Sequence, residues 1–192
     1  SLSGCQDGRM GAVAAGGLRF ACYTFLLMDR DVIELARAAG VELQQRGWWL
    51  STAESCTGGL IGHLVTEIPG SSAYYQGGVV AYANEIKRRV LGVSVATLTT
   101  DGAVSGACAS EMAAGVRRLF GVEVGIATTG IAGPGGGSTE KPVGLVYIAI
   151  ETPDGTWCER HVFGSDRTGN KQQTVVRALQ LLLELSRPDP AI

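Results

Sequence analysis

The chain has 192 residues, with 16 Lys+Arg against 18 Asp+Glu and a formal net charge of −2, a length that suits one domain or two very small ones. Its 45% hydrophobic and 18% charged content excludes a disordered chain. The near-neutral balance argues against general affinity for nucleic acid or anionic membranes.

Residues 1–27 are small and Gly/Ala-rich, without an amphipathic pattern. The apolar run 20–28 is too short to span a bilayer, and neither a basic leader nor a small-residue cleavage site marks a secretory signal. This stretch is expected to be a disordered or extraneous tail, with Met28 a natural beginning and one domain over 28–188. Asp31 and Glu34 form a capping-box pattern opening a helix to about Arg46. Trp48–Ala53 reads as a buried strand, 54–59 as its exit loop and Leu60 to about Glu67 as a helix. A turn at 69–72 leads to a second strand, Gly78–Tyr82, and Asn84 is placed to cap a short helix over Glu85–Leu91. Ser105 caps a longer helix whose Ala109, Met112, Ala113, Val116 and Leu119 follow the 3.6-residue period, ended by Gly121. Val122–Thr129 reads as a third strand, followed by the glycine-rich loop 130–138. Val143–Glu151 and Thr156–Phe163 form a hairpin around Pro153–Gly155, and a last helix runs from about Thr168 to Leu185. Helices alternate with strands up to the hairpin, which predicts an α/β fold: a mixed sheet covered by helices on both faces.

The residue inventory narrows the chemistry. Five cysteines make an odd count with no C-x-x-C pair, as suits free thiols in a reducing cytoplasm. Two histidines, His63 and His161, are too few for a zinc finger or an H-E-x-x-H site. Of the 16 basic residues only three are Lys, at 87, 141 and 171, leaving 13 Arg. A Lys in so Arg-rich a chain is informative, because Lys can lose its proton in a protein and Arg cannot. Glycine, at 28 residues, runs at about twice ordinary usage; either tight turns abound or backbone must approach a ligand closely.

Three loops, 54–59, 82–87 and 130–138, leave strand ends where open α/β sheets bind ligands. In the first, Ser55 sits at a strand-to-helix junction, where free N–H groups stabilise an oxyanion or phosphate; a plain helix cap has the same local pattern. Ala53 in place of glycine departs from the G-x-S-x-G elbow, and neighbouring Cys56 is a rival nucleophile. A serine nucleophile needs a base. His63 lies eight residues on, about 12 Å along a helix, and His161 is in the hairpin. Lys87 is the better candidate: the first turn of a helix disfavours its positive charge and favours the neutral amine. A solvated surface lysine is the alternative. The third loop offers an anion nest but lacks the Walker and G-x-G-x-x-G spacings, and equally suits a flexible turn. Arg167, before the last helix, suits a phosphate bidentately or is a surface residue.

Seven motifs then occur in order: A-E-S-C-T-G-G at 53–59, P-G-S-S-A-Y at 69–74, Y-x-N-E-x-K at 82–87, G-A-V-S at 102–105, G-I-A-G-P-G-G-G at 130–137, K-P-V-G at 141–144 and G-S-D-R at 164–167. Together they resemble the CinA C-terminal domain family, the nicotinamide-nucleotide amidases, from about residue 30 to 186. The resemblance implies a three-layer α/β/α sandwich with a mixed sheet of about five strands. It implies hydrolysis of the carboxamide of nicotinamide mononucleotide to nicotinate mononucleotide and ammonia, in pyridine-nucleotide salvage. The family's Ser, Lys and Tyr fall on Ser55 as nucleophile, Lys87 as base and Tyr82 as its helper. Thr57 and Gly58 are expected to hold the oxyanion. Gly59, Asn84, Thr129, Gly130, Gly133 and Arg167 complete the expected substrate-binding set, with the glycine loop and Arg167 on the ribose phosphate. The resemblance leaves Ser55 and Cys56 unseparated. The helix after Ser105 lacks the acidic start usual in relatives, and Ser165 stands where glycine is expected.

Many relatives carry this domain behind a molybdopterin-binding-like one; without it, the amidase activity alone is expected. No metal, cofactor, nucleic-acid or membrane partner is expected, and the assembly is expected to be a cytoplasmic homo-oligomer of unstated size. A non-catalytic nucleotide-binding module with a regulatory or competence-linked role is the rival. A phosphotransferase is disfavoured by the missing Walker Lys and Mg²⁺ carboxylate pair.

Overall fold

The computed structural model describes residues 30–186, so the expected tail at 1–27 lies outside the described residues. Five strands form one sheet: β1 (Leu50–Glu54), β2 (Tyr75–Val80), β3 (Val124–Gly130), β4 (Leu145–Thr152) and β5 (Gly155–Val162), in the order β2-β1-β3-β4-β5. β1 runs parallel to β2 and β3, whereas β4 pairs antiparallel with both β3 and β5. The mixed sheet is thus parallel where helices connect the strands and antiparallel where the hairpin turns back.

The helices are α1 (Arg30–Arg46), α2 (Leu60–Thr66), α3 (Asn84–Leu91), α4 (Val95–Thr100), α5 (Gly106–Phe120) and α6 (Arg167–Ser186). Strand alternation divides their packing. Leu50, Val124, Ile126, Val146, Ile148 and Ile150 face a core shared with Ala36, Leu43, Ile61, Leu64, Leu179 and Leu182 of α1, α2 and α6. Ala53, Ala127 and Ala149, one residue out of phase, face the second core with Leu91, Met112 and Val116 of α3 and α5. Three layers result. The small residues on the second face matter: three alanines let α5 lie close to the sheet.

Gly115 extends that closeness to the next helix. A Cβ built on it would collide with the Leu91 carbonyl at the end of α3. Glycine inside a helix costs about 1 kcal/mol relative to alanine, and here it permits α3 to sit directly on α5.

Several expected boundaries move. β2 begins at Tyr75 rather than Gly78 and ends at Val80, because Leu50 to Glu54 of β1 pair along its length from Tyr75 to Val80. Tyr82 therefore lies in the loop, not at a strand end. Asn84 is the first residue of α3, and the cap position belongs to Ala83, without a side-chain cap bond. Asp31 likewise falls inside the first turn of α1 instead of capping it. Ser105 does cap α5, its Oγ accepting from the Cys108 N–H at 3.2 Å, and Gly121 closes that helix at φ 65°.

Candidate active site

β1 is buried along its whole length, and its period of two decides what its end presents. Leu50, Thr52 and Glu54 face the α1/α2/α6 layer; Ser51, Ala53 and, one step beyond, Ser55 face α3 and α5. The Ser55 N–H donates to the Thr128 carbonyl at 3.0 Å, extending the ladder and fixing the serine at the mouth of the sheet.

Glu54, 1% exposed, turns the other way. Its Oε2 accepts from the N–H groups of Gly59 at 2.9 Å and Ile61 at 3.1 Å, and its Oε1 from Gly62 at 2.9 Å. A carboxylate is favoured at a helix N-terminus, and this one occupies the donors at the start of α2. The sequence expectation that this helix end is free for a ligand anion is corrected here: the chain supplies its own anion. Gly59 is accordingly not in the crevice wall; it lines a separate hollow with Thr52, Glu54 and Tyr75.

Across from Ser55, α3 brings in Lys87. It is the largest fully buried side chain of the described residues, 1% exposed. Its Nζ lies 3.0 Å from Ser55 Oγ, 2.7 Å from the Ala81 carbonyl and 3.2 Å from the Tyr82 carbonyl. No carboxylate is among these three partners. Burial pushes the ammonium pKa below the ordinary lysine value, opposed by nearby Cys108 and Cys56. Desolvation disfavours the charged form, so burial, one of the two effects the sequence suggests beside the helix dipole, is the main cause. The two carbonyls can only accept, so they fix Nζ by its N–H groups and hold it against the Ser55 hydroxyl, a contact that an ammonium makes as donor and a neutral amine as acceptor.

Around this pair is a crevice of about 190 Å³, walled by Ser55, Cys56, Tyr82, Asn84, Lys87, Ala103, Val104, Thr129, Gly130, Ala132 and Arg167. Seven of the sequence-derived residues therefore meet: Ser55, Tyr82, Asn84, Lys87, Thr129, Gly130 and Arg167. Tyr82 is 66% exposed, and what it gives Lys87 is its main-chain carbonyl. The Thr129 hydroxyl donates to the Ala103 carbonyl at 2.6 Å, tying β3 to the loop before α5. Arg167 donates from Nη1 to the Gly133 carbonyl at 2.8 Å, so Gly133 supports the guanidinium from outside the wall. The Thr57 side chain also stays out: it is fully buried, with its hydroxyl 2.7 Å from that of Thr128.

The two candidate nucleophiles share the crevice wall but differ in their partners: Ser55 Oγ has Lys87 Nζ at 3.0 Å. Cys56 is 7% exposed, and burial pushes its thiol pKa up to about 11. The thiolate is the reactive form, and it is scarce at neutral pH under that shift. Cys108, likewise raised to about 11 by burial, is also a thiol. Neither histidine lines the crevice: His63 lies on α2, 3.9 Å from Glu67, and His161 stacks on Phe163 with ring centroids 5.3 Å apart. Among the described residues no group of three or more His, Cys, Asp or Glu could hold a metal ion, and no helix is long and apolar enough to cross a membrane.

Sequence reasoning missed Glu54, Ala103, Val104 and Ala132. Glu54 carried a readable signal, since a charged residue closing an otherwise buried strand needs buried partners. The three small apolar residues lie within the G-A-V-S and G-I-A-G-P-G-G-G motifs, but their residue types carry no chemistry of their own that singles them out.

Residues 32–186 match the family model described as the CinA C-terminal domain. The chain is 47% identical over 160 residues to a "Putative competence-damage inducible protein" of Caldanaerobacter subterraneus subsp. tengcongensis, covering 83% of this chain and 38% of that protein. It is 50% identical over 143 residues to a "CinA-like protein" of Parasynechococcus marenigrum, covering 73% and 34%. The chain thus spans under two fifths of the length of these curated relatives. Among solved structures, the competence/damage inducible protein CihA from Agrobacterium tumefaciens superposes with a TM-score of 0.80 at 46% identity, over 82% of this chain and 96% of that one. A CinA superfamily protein from Enterobacter cloacae gives 0.79 at 30% identity, over 94% and 100%. A shared fold and this level of identity along the matched residues make the chain a member of the CinA C-terminal domain family.

Proposed function

We propose that the crevice hydrolyses the carboxamide of nicotinamide mononucleotide, giving nicotinate mononucleotide and ammonia. The observation that carries this reading is the buried Lys87 Nζ, held by two carbonyls and 3.0 Å from Ser55 Oγ. Ser55 Oγ attacks the carboxamide carbon while its proton passes to Lys87 Nζ. The C–N bond then breaks, and the Lys87 ammonium returns the proton to the leaving nitrogen, which departs as ammonia. A water attacks the resulting ester, Lys87 takes its proton, and the acid leaves as Ser55 recovers the hydrogen. The amides of Thr57 and Gly58, outside the set that Glu54 occupies, are the proposed oxyanion donors, each worth about 3–4 kcal/mol in comparable sites. Asn84, Thr129 and Gly130 border the ring and its carboxamide, and Arg167 anchors the phosphate, leaving the Tyr82 phenol at the entrance.

The reading extends to a metal- and cofactor-independent enzyme of the reducing cytoplasm, acting in nucleotide salvage as a homo-oligomer, with neither nucleic acid nor membrane as partner. Ammonia release from nicotinamide mononucleotide, with and without chelator, tests it. Release that survives the chelator and disappears in Ser55→Ala is expected. Nucleotide binding without ammonia release in the unaltered protein would replace the amidase by a non-catalytic binding module.

A further inference from the structure

Of the three lysines, Lys87 is in the crevice and Lys141 donates to the Asp101 carbonyl at 2.6 Å beside its wall. Lys171, on α6, has no such fixed role. Its Nζ stands 3.7 Å from the point where a Cβ on Gly58 would lie, over the loop that carries Ser55. Gly58 is exposed and in the left-handed region at φ 66°, so no side chain separates the ammonium from that loop.

Arg167 and Lys171 are four residues apart on α6, hence neighbours on one helix face. Arg167 reaches the glycine loop at Gly133, Lys171 the serine loop at Gly58. One cation therefore stands at each of two loops that border the crevice, the serine loop and the glycine loop. Arg167 spends one of five N–H donors on Gly133. Among the described residues no carboxylate lies within 4 Å of the half-buried Lys171 ammonium. Arg177, further along the same helix, is by contrast bound by both Glu159 and Glu184. The acids that adjoin Arg167 and the serine loop in sequence have other partners: Asp166 accepts from the Gly169 N–H at 2.7 Å, and Glu54 holds the start of α2.

Glu54 bears on the second cation. With its carboxylate on the N–H groups of Gly59, Ile61 and Gly62, the start of α2 has none of those donors left for a ligand phosphate, and positive charge on that side must come from a side chain. Lys171 is the side chain in that place.

We propose that Lys171 is a specificity-determining residue that, with Arg167, clamps a phosphomonoester dianion at the α6 rim of the crevice. The inference rests on the amidase reading only for the carboxamide end of the ligand. A guanidinium fork and a compact ammonium suit the phosphate's oxygens from two sides, and a neutral nucleoside would engage neither.

Calorimetric titration of Lys171→Met and Lys171→Arg with nicotinamide mononucleotide, nicotinamide riboside, ribose 5-phosphate and ribose tests this. Lys171→Met should weaken both phosphorylated ligands about tenfold, the order of one charge-assisted hydrogen bond, and leave riboside binding unchanged. Lys171→Arg should restore most of the loss, and where turnover is measured KM should rise with kcat steady. Equal losses for nucleotide and riboside, unaltered nucleotide binding in Lys171→Met, or no preference of the unaltered protein for ribose 5-phosphate over ribose would each overturn the proposal. Failure of the amidase reading looks different: no ammonia from any ligand, yet phosphate-dependent binding that requires Lys171.

Discussion

Two concave regions of this molecule differ in what they leave available. The groove between α1, α2, β5 and α6 encloses about 450 Å³, more than twice the crevice, and is lined by Val32, Leu60, Leu64, Phe163, Val175 and Val176 among others. Its ionic groups are already matched: Arg177 bridges Glu159 at 2.6 Å and Glu184 at 2.7 Å, and His161 lies 2.8 Å from Glu159. In the smaller crevice Lys87 is buried without a carboxylate among its partners and faces a hydroxyl. Size follows from how helices splay on a sheet. Reactivity follows from groups whose preferred state is withheld until a ligand arrives.

The widest separation between the two regions should appear in turnover. Ser55→Ala and Lys87→Arg should each lower ammonia release by about a thousandfold or more with the circular dichroism spectrum intact, while Val176→Ala in the groove leaves it nearly unchanged. Guanidinium keeps the charge of Lys87 but cannot surrender a proton, so near-normal turnover in Lys87→Arg would remove the residue from base catalysis. Activity that survives Ser55→Ala but is lost in Cys56→Ala would transfer the nucleophile to the thiol. The same dyad sets the pH profile. Burial lowers the Lys87 pKa and the proposed mechanism uses the neutral amine, so kcat/KM should climb with pH through an apparent pKa below the ordinary lysine value. A pH-independent rate across the range where Lys87 titrates would contradict this assignment.

Stability should show the reverse contrast. Leu64, 1% exposed beside the groove, should cost about 2–5 kcal/mol on truncation to alanine, read as a lowered urea midpoint, with kcat per folded molecule preserved. A comparable fall in kcat would mean that groove and crevice are coupled. Arg167→Ala is expected to weaken nicotinamide mononucleotide by about tenfold or more and the riboside far less; equal losses would take the guanidinium away from the phosphate.

The smallest effect belongs to the groove's ion network. Arg177 holds the Glu159 carboxyl down at about 2, well below its usual range, with His161 assisting. A depressed carboxyl pKa stabilises the fold above the ordinary glutamate value, and that contribution fades as pH falls from about 4.5 towards 2. Arg177→Met should therefore lose about 1 kcal/mol near neutrality, a modest figure because the pair is partly solvated, and little at pH 2. A loss that is the same at both pH values would mean that packing, not charge, accounts for it.

Much of this arrangement was legible in the chain. The buried strand whose exit loop carries Ser55, the helix carrying Lys87 and the scarcity of lysine point to one crevice, and the ordered motifs point to the family. α4 was not legible, because V-A-T-L-T-T has neither helical apolar spacing nor strong helix formers. It forms through tertiary help: Ser94 caps it, accepting from the Thr97 N–H at 2.9 Å, and Glu111 of α5 receives the Ser94 N–H at 2.6 Å. Glu54 and Ser55 are adjacent in sequence, yet strand alternation sends them to opposite layers. A motif read as a line of letters places both at one site, whereas the pleat turns one to hold a helix and the other to the crevice.

The contact between Gly115 and Leu91 has a consequence for how this sequence tolerates change. Lys87 reaches Ser55 only because α3 rests on α5, and that seat depends on a hydrogen atom where every other residue has a carbon. In a saturation-mutagenesis map, position 115 should stand out as a silent lesion: buried, outside the crevice wall, and intolerant even of alanine. Substitution there would tilt the platform under the amine and misalign proton transfer, so that losses of activity at this remote site mimic those of the dyad.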